Sequence, residues 1–86
     1  MKLKTMIDEG CYEPIRAHKQ DAGLDLVSPV DVVIEPHSRA LIDTGVHVAI
    51  PEGYVGLLTS KSGLMRDFGI TSSGTIDGGY PGSIGA

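Results

Sequence analysis

Turn-forming residues interrupt this chain about every eight to ten positions, and the stretches between them alternate apolar with polar. Asp8-Glu9-Gly10, Ser28-Pro29, Glu35-Pro36-His37, Gly45 and Pro51-Glu52-Gly53 are the breaks. Gly and Pro end regular structure for opposite reasons, one by freedom and one by a fixed φ. Between the breaks, residues 2–7, 22–26, 30–34, 39–44, 46–50 and 54–60 read as short strands. Leu3 and Ile7 face inward in the first, Leu24 and Leu26 share one face of the second, and Val30, Val32 and Ile34 alternate in the third. Val46, Val48 and Ile50 alternate with His47 and Ala49. In the last, Val55, Leu57 and Thr59 oppose Tyr54, Gly56 and Leu58. The one helical stretch is Ser62–Phe68, about two turns, with Gly69 suited to its exit. Such a chain can only be an all-β sandwich or barrel of short strands.

With 86 residues there is material for one domain, 1–86, and not two. A chain this short hides only about 60–65% of its unfolded surface, so assembly into an oligomer is a common remedy. The formal net charge is −4 and no basic run exists, which argues against a nucleic-acid backbone as partner. Cys11 is the only cysteine, excluding an intrachain disulfide and a Cys-based zinc site. It reads as a structural thiol, because no activating partner lies near it in sequence. His18, His37 and His47 form no metal motif, and the last two read as surface residues. Residues 1–6 lack the apolar centre of a signal peptide, and no apolar run approaches the roughly 20 residues of a membrane span. The expectation is a soluble, cytoplasmic protein with no membrane partner.

Three stretches could carry chemistry. In residues 74–85, Thr75-Ile76 reads as a strand, Asp77-Gly78-Gly79 as a hairpin turn and Ser83-Ile84 as the returning strand. A hairpin offers main-chain N–H and C=O groups, which can read a flat ring carrying two carbonyls and an imide N–H. Asp77 at the turn entrance can hold a water, and Tyr80 offers a flat face. Alone, the stretch reads first as a β-turn with Asp at its usual place. In residues 59–65, Lys61 supplies a charge, Ser62 a hydroxyl, and the helix start supplies free N–H groups, the parts of an anion site. The order of a Walker A loop is absent, and an ordinary helix cap is the alternative. In residues 22–26, Asp25 can meet Mg²⁺ through water or simply face solvent.

Taken in order, the three stretches resemble the motifs of the dUTPase family. Ala22-Gly23-Leu24-Asp25-Leu26 is similar to its first motif, Ser60-Lys61-Ser62-Gly63-Leu64 to its second, and Gly74-Thr75-Ile76-Asp77-Gly78-Gly79-Tyr80-Pro81-Gly82 to its third and most specific one. The resemblance covers residues 21–86. It implies a distorted jelly-roll β-barrel and Mg²⁺-dependent hydrolysis of dUTP to dUMP and pyrophosphate. It implies that Asp77 positions and deprotonates the water and that Tyr80 packs on the deoxyribose. Uracil would be read by the backbone of Ser73, Gly74, Thr75 and Ile76. Lys61, Ser62 and Gly63 would hold phosphate, and Asp25 would help hold Mg²⁺ through water. It also implies a homotrimer with active sites between subunits. Lys61 stands where the family usually has Arg, and Pro81 where it usually has a basic or polar residue. Two further family motifs follow the third, so a shortened product or fragment is expected, inactive by itself. A dCTP deaminase-like enzyme and a non-catalytic dUTPase-like binding or regulatory module are the alternatives.

Overall fold

The computed structural model of the chain describes residues 3–86. Lys2, part of the first expected strand, lies outside the described residues. Strand β1 (Lys4–Ile7) pairs antiparallel with β2 (Val46–Ala49), setting Ile7 opposite Val46 and Met6 opposite His47. Period-2 alternation then turns Ile7 and Val46 to one face and Met6 and His47 to the other. Val46 is 0% exposed, so this inward face is where the core begins.

The rest of that core is a seam between residues 42–46 and 84–86. Ile84 N–H donates to the Val46 carbonyl at 2.8 Å, and Thr44 N–H donates to the Ile84 carbonyl at 3.0 Å. Ile42 and Ala86 exchange two further bonds, at 2.7 and 2.8 Å. Thr44, itself buried, donates its hydroxyl to the Ile84 carbonyl at 2.7 Å and accepts from Val46 N–H at 3.3 Å. A buried hydroxyl without partners would be costly, and this one is satisfied on both sides. Gly45 makes the bend at φ 69°, and an added Cβ there would lie 2.2 Å from Cys11 Sγ. Glycine is therefore required twice over, by φ and by the thiol packed against it.

Strand β3 (Gly56–Leu58) pairs antiparallel with β4 (Gly74–Ile76) in a second two-stranded sheet. Helix α1 (Ser62–Phe68) joins them and ends as expected, with Gly69 at φ 68° donating its N–H to the Met65 carbonyl at 3.0 Å. Gly56 faces Ile76 so closely that an added Cβ would come within 3.0 Å of the Ile76 Cβ and 3.3 Å of the Ile50 Cδ1. The missing side chain lets two isoleucines meet over the strand.

The all-β architecture matches the sequence expectation, and the turns at Glu35–Ser38 and Pro51–Tyr54 form with bonds of 3.2 and 3.1 Å. Several strands do not form. Residues 30–34 are exposed and belong to no described strand, because no partner ladder reaches them. Residues 22–26 reduce to one bridge, Asp25 to Ile15, and residues 39–44 to the bridge between Asp43 and Gly85. Leu3 is exposed rather than inward. In β3 it is Leu57 that faces solvent, 70% exposed, while Gly56 and Leu58 turn toward cover. The register decides this, since it sets Leu58 against Gly74 and Gly56 against Ile76. The expected return of Ser83-Ile84 along β4 is also corrected. β4 takes β3 as its partner, and residues 84–86 take 42–46.

Candidate nucleotide site

Lys61 leaves β3 with extended backbone (φ −71°, ψ 118°) and immediately precedes the helix. Its carbonyl accepts the Met65 N–H at 2.9 Å, which starts the helical ladder. No side chain caps this end, so Ser62 and Gly63 begin a first turn whose N–H groups lack intrahelical acceptors. The Lys61 ammonium meets the Asp25 carboxylate, Nζ to Oδ2, at 2.9 Å. Asp25 is steadied in turn by its bridge to Ile15, with bonds of 2.7 and 2.9 Å. The first and second stretches thus touch through one ion pair between solvent-exposed side chains.

The second and third stretches are fastened by a side-chain hydroxyl on main chain and by the β3–β4 ladder. Ser60 Oγ donates to the Ser72 carbonyl at 3.0 Å and accepts the Ser72 N–H at 3.0 Å. Residues 73–76 therefore run beside residues 56–60. Ser73, Gly74 and Thr75 are exposed, and Ile76 is half-buried. Among the described residues β4 has a strand partner on one side only. Its other edge carries N–H and C=O groups with no strand partner.

Asp77 opens the next turn. Its carbonyl accepts the Tyr80 N–H at 3.2 Å, and Gly79 supplies the positive φ of 83° that such a turn requires at its third position. The Asp77 side chain is exposed and, among the described residues, has no hydrogen-bonding or ionic partner. Tyr80 folds back over Gly82, where an added Cβ would lie 2.5 Å from the phenol oxygen, and donates its hydroxyl to the Ser83 carbonyl at 3.2 Å. Its ring borders a groove of about 390 Å³ between the turn and the β1–β2 sheet. No described hydrogen bond or ion pair links this turn to the Asp25–Lys61 pair.

His47 is where the sequence reading fell short. It is no simple surface residue: its side chain is only 20% exposed. Nδ1 lies 2.7 Å from the Pro81 carbonyl and Nε2 lies 2.9 Å from Asp8 Oδ1. The Pro81 carbonyl, and then the Asp8 carboxylate, hold the imidazole above its ordinary range against the opposing effect of burial. Just before β2, Ser83 Oγ donates to Asp43 Oδ1 at 2.5 Å, and Gly45 N–H donates to the same oxygen at 3.0 Å. Together they pull the Asp43 carboxyl below its ordinary range. No sequence signal marked His47: its diagonal place beside Asp8 follows only from the register that sets it opposite Met6.

The arrangement is an all-β fold in which the loop before α1 is clamped near one end of β4, and a turn bearing one unpaired carboxylate and one tyrosine follows its other end. The chain belongs to the dUTPase family, whose model matches residues 12–86. It is 53% identical over 81 residues to the deoxyuridine 5'-triphosphate nucleotidohydrolase of Mycobacterium avium, covering 91% of this chain and 53% of that protein. The Mycobacterium tuberculosis protein of the same name is 51% identical over the same span. The chain thus spans about half the length of the curated relatives it matches. Among solved structures, the dUTPase of Staphylococcus bacteriophage 80alpha with dUPNHPP superposes with a TM-score of 0.90 at 45% identity, over 98% of this chain and 51% of that one. A mutant dUTPase from phage phi11 of S. aureus, described for its coordination of a structural Mg(II) ion, gives 0.90 at 46%, over 99% and 57%.

Proposed function

We propose that the protein hydrolyses dUTP to dUMP and pyrophosphate, with residues 1–86 as one domain carrying three of its site elements. The observation that carries this reading is the Ser60–Ser72 clamp, because it fastens the chain entering the Lys61-Ser62-Gly63 loop to the residues that lead into β4. A phosphate chain and a base then have adjacent seats. The backbone of Ser73, Gly74, Thr75 and Ile76 pairs with the uracil edge. Cytosine is rejected because its exocyclic amine reverses one donor–acceptor pair. Tyr80 stacks on the deoxyribose and leaves no room for a 2′-hydroxyl. Lys61, Ser62 and Gly63 bind phosphate oxygens, so the triphosphate draws Lys61 away from Asp25. Asp77, free of partners, accepts a proton from the water that attacks phosphorus, and the pyrophosphate leaves.

Magnesium fits this scheme in one limited way. Among the described residues no three His, Cys, Asp or Glu side chains gather as a metal cage. Mg²⁺ normally keeps waters and takes oxygens from substrate phosphates, and Asp25 has one oxygen, Oδ1, not engaged by Lys61. Asp25 would hold such an ion through a bound water, and the ion would neutralise charge on the phosphate chain.

A homotrimer is the assembly we favour. The chain exposes 6938 Å², against about 4,900 Å² for a folded monomer of its mass. Val33, Leu41, Leu57 and Phe68 are each at least 70% exposed and would gain cover from neighbouring subunits. A nucleotide substrate and a lone thiol fit a cytoplasmic protein. The test is product analysis with the protein at its full natural length. Pyrophosphate and dUMP from dUTP support the reading, ammonia from dCTP replaces it with deamination, and neither product leaves a binding module.

A further inference from the structure

We infer that His47 is a positioning residue for the Asp77–Tyr80 turn, tying the Pro81 carbonyl to Asp8 and so holding Tyr80 against the β1–β2 sheet. The geometry is specific. His47 sits opposite Met6, and Asp8, two residues on and just past the end of β1, continues the pairing through its N–H to the Gly45 carbonyl at 2.8 Å. That diagonal brings Nε2 to Asp8 Oδ1 at 2.9 Å. The ring's other nitrogen points across the groove wall to the Pro81 carbonyl at 2.7 Å. Both partners are acceptors, so only the doubly protonated ring donates to both. A neutral ring keeps one bond and turns a lone pair toward the other oxygen. Pro81 has no N–H of its own, which leaves its carbonyl as the polar main-chain handle on that residue. The charged and titratable groups around the imidazole are Asp8 after β1, Lys4 on the wall of the same groove, Asp43 just before β2 and Tyr80 in the turn. The acidic pair favours the charged ring.

The sign follows from the direction of the shift. A histidine whose folded value is raised stabilises the turn fully below about pH 6.5, its unfolded value. The contribution fades as pH climbs through the higher folded value. The turn is therefore held most firmly in mild acid and loosens toward alkaline pH. The inference rests on the proposed reaction only for its catalytic consequence, and the NMR titration that decides it does not.

The experiment is an NMR titration of the full-length protein, following the His47 ring with the Gly79 and Gly82 amides. The His47 midpoint should lie above 6.5, and both amides should move with the same midpoint. His47→Asn keeps a donor near the Nδ1 position but no titration, so its turn amides should stay close to their acid-form positions at every pH. His47→Leu should displace them at every pH. In turnover assays KM for dUTP should rise above the midpoint in the wild type and stay level in His47→Asn. Amides that ignore the His47 midpoint, or an Asn variant that matches Leu, would overturn the inference. An inactive protein whose amides still follow His47 would sink the proposed reaction and leave this one standing.

Discussion

The two ends of the candidate site are held in opposite ways. At the proposed phosphate end, Asp25 and Lys61 meet through one ion pair between exposed side chains. At the turn end, the chain is gripped on both sides. Upstream, β4 is laddered to β3 and clamped by Ser60. Downstream, residues 84–86 are sewn to 42–46 around the buried Thr44 and Val46, with His47 bracing Pro81. An exposed pair is easily traded for solvent or for a phosphate, whereas a buried hydrogen-bonded seam cannot yield without leaving polar groups stranded. The phosphate end should thus be adjustable and cheap to alter. The turn end should be rigid, and damage there should reach both stability and rate.

Substitutions at four positions test that contrast, beginning with the largest effect. Asp77→Asn in the full-length protein should lower turnover of dUTP by about 10²–10⁴ while binding of a non-hydrolysable analogue stays normal. Turnover near the wild-type rate would remove Asp77 from the reaction. Thr44→Val keeps the shape and removes the hydroxyl that the Ile84 carbonyl and Val46 N–H both use. It should cost about 1–3 kcal/mol in a urea unfolding series, and an unchanged midpoint would mean that the seam does not anchor the turn. Lys61→Ala should shift the midpoint by less than about 0.5 kcal/mol, yet weaken the triphosphate more than dUMP in calorimetry. Equal weakening of both would separate Lys61 from the phosphate chain. Lys61→Arg should bind at least as well, since it restores a bidentate fork. The smallest effect belongs to Ser73→Ala, which should leave the preference for dUTP over dCTP intact. Loss of that preference would mean the side chain, not the backbone, reads the base.

Some of this was legible in the residues. The helix at Ser62–Phe68 and its Gly69 exit follow from local rules that need no partner. The turns at residues 35–38 and 51–54 do as well. So do the three motif stretches and the residues in them. Strands were legible only in part, for a reason that residues 30–34 and 46–49 make plain. Both alternate valine with other residues, but only the second has a partner, β1, and only the second is a strand. A strand's hydrogen bonds lie outside itself, so its pattern names a candidate and its neighbour decides.

The faces of β3 depended on register in the same way, because a shift of one residue exchanges inside and outside. Gly56 against Ile76 put Leu57 in solvent. The bracing of the third stretch was further out of reach. His47 and Pro81 are 34 residues apart and His47 and Asp8 are 39 apart, and no local rule links them. What the sequence alone determined were the family motifs, the all-β class and the residue types that chemistry would need. The tertiary structure decided which strand has a partner, which face is covered and that an imidazole ties the turn to the sheet. Those depend on main-chain groups and side chains meeting from distant parts of the chain, and pairing at a distance is not encoded in any one stretch.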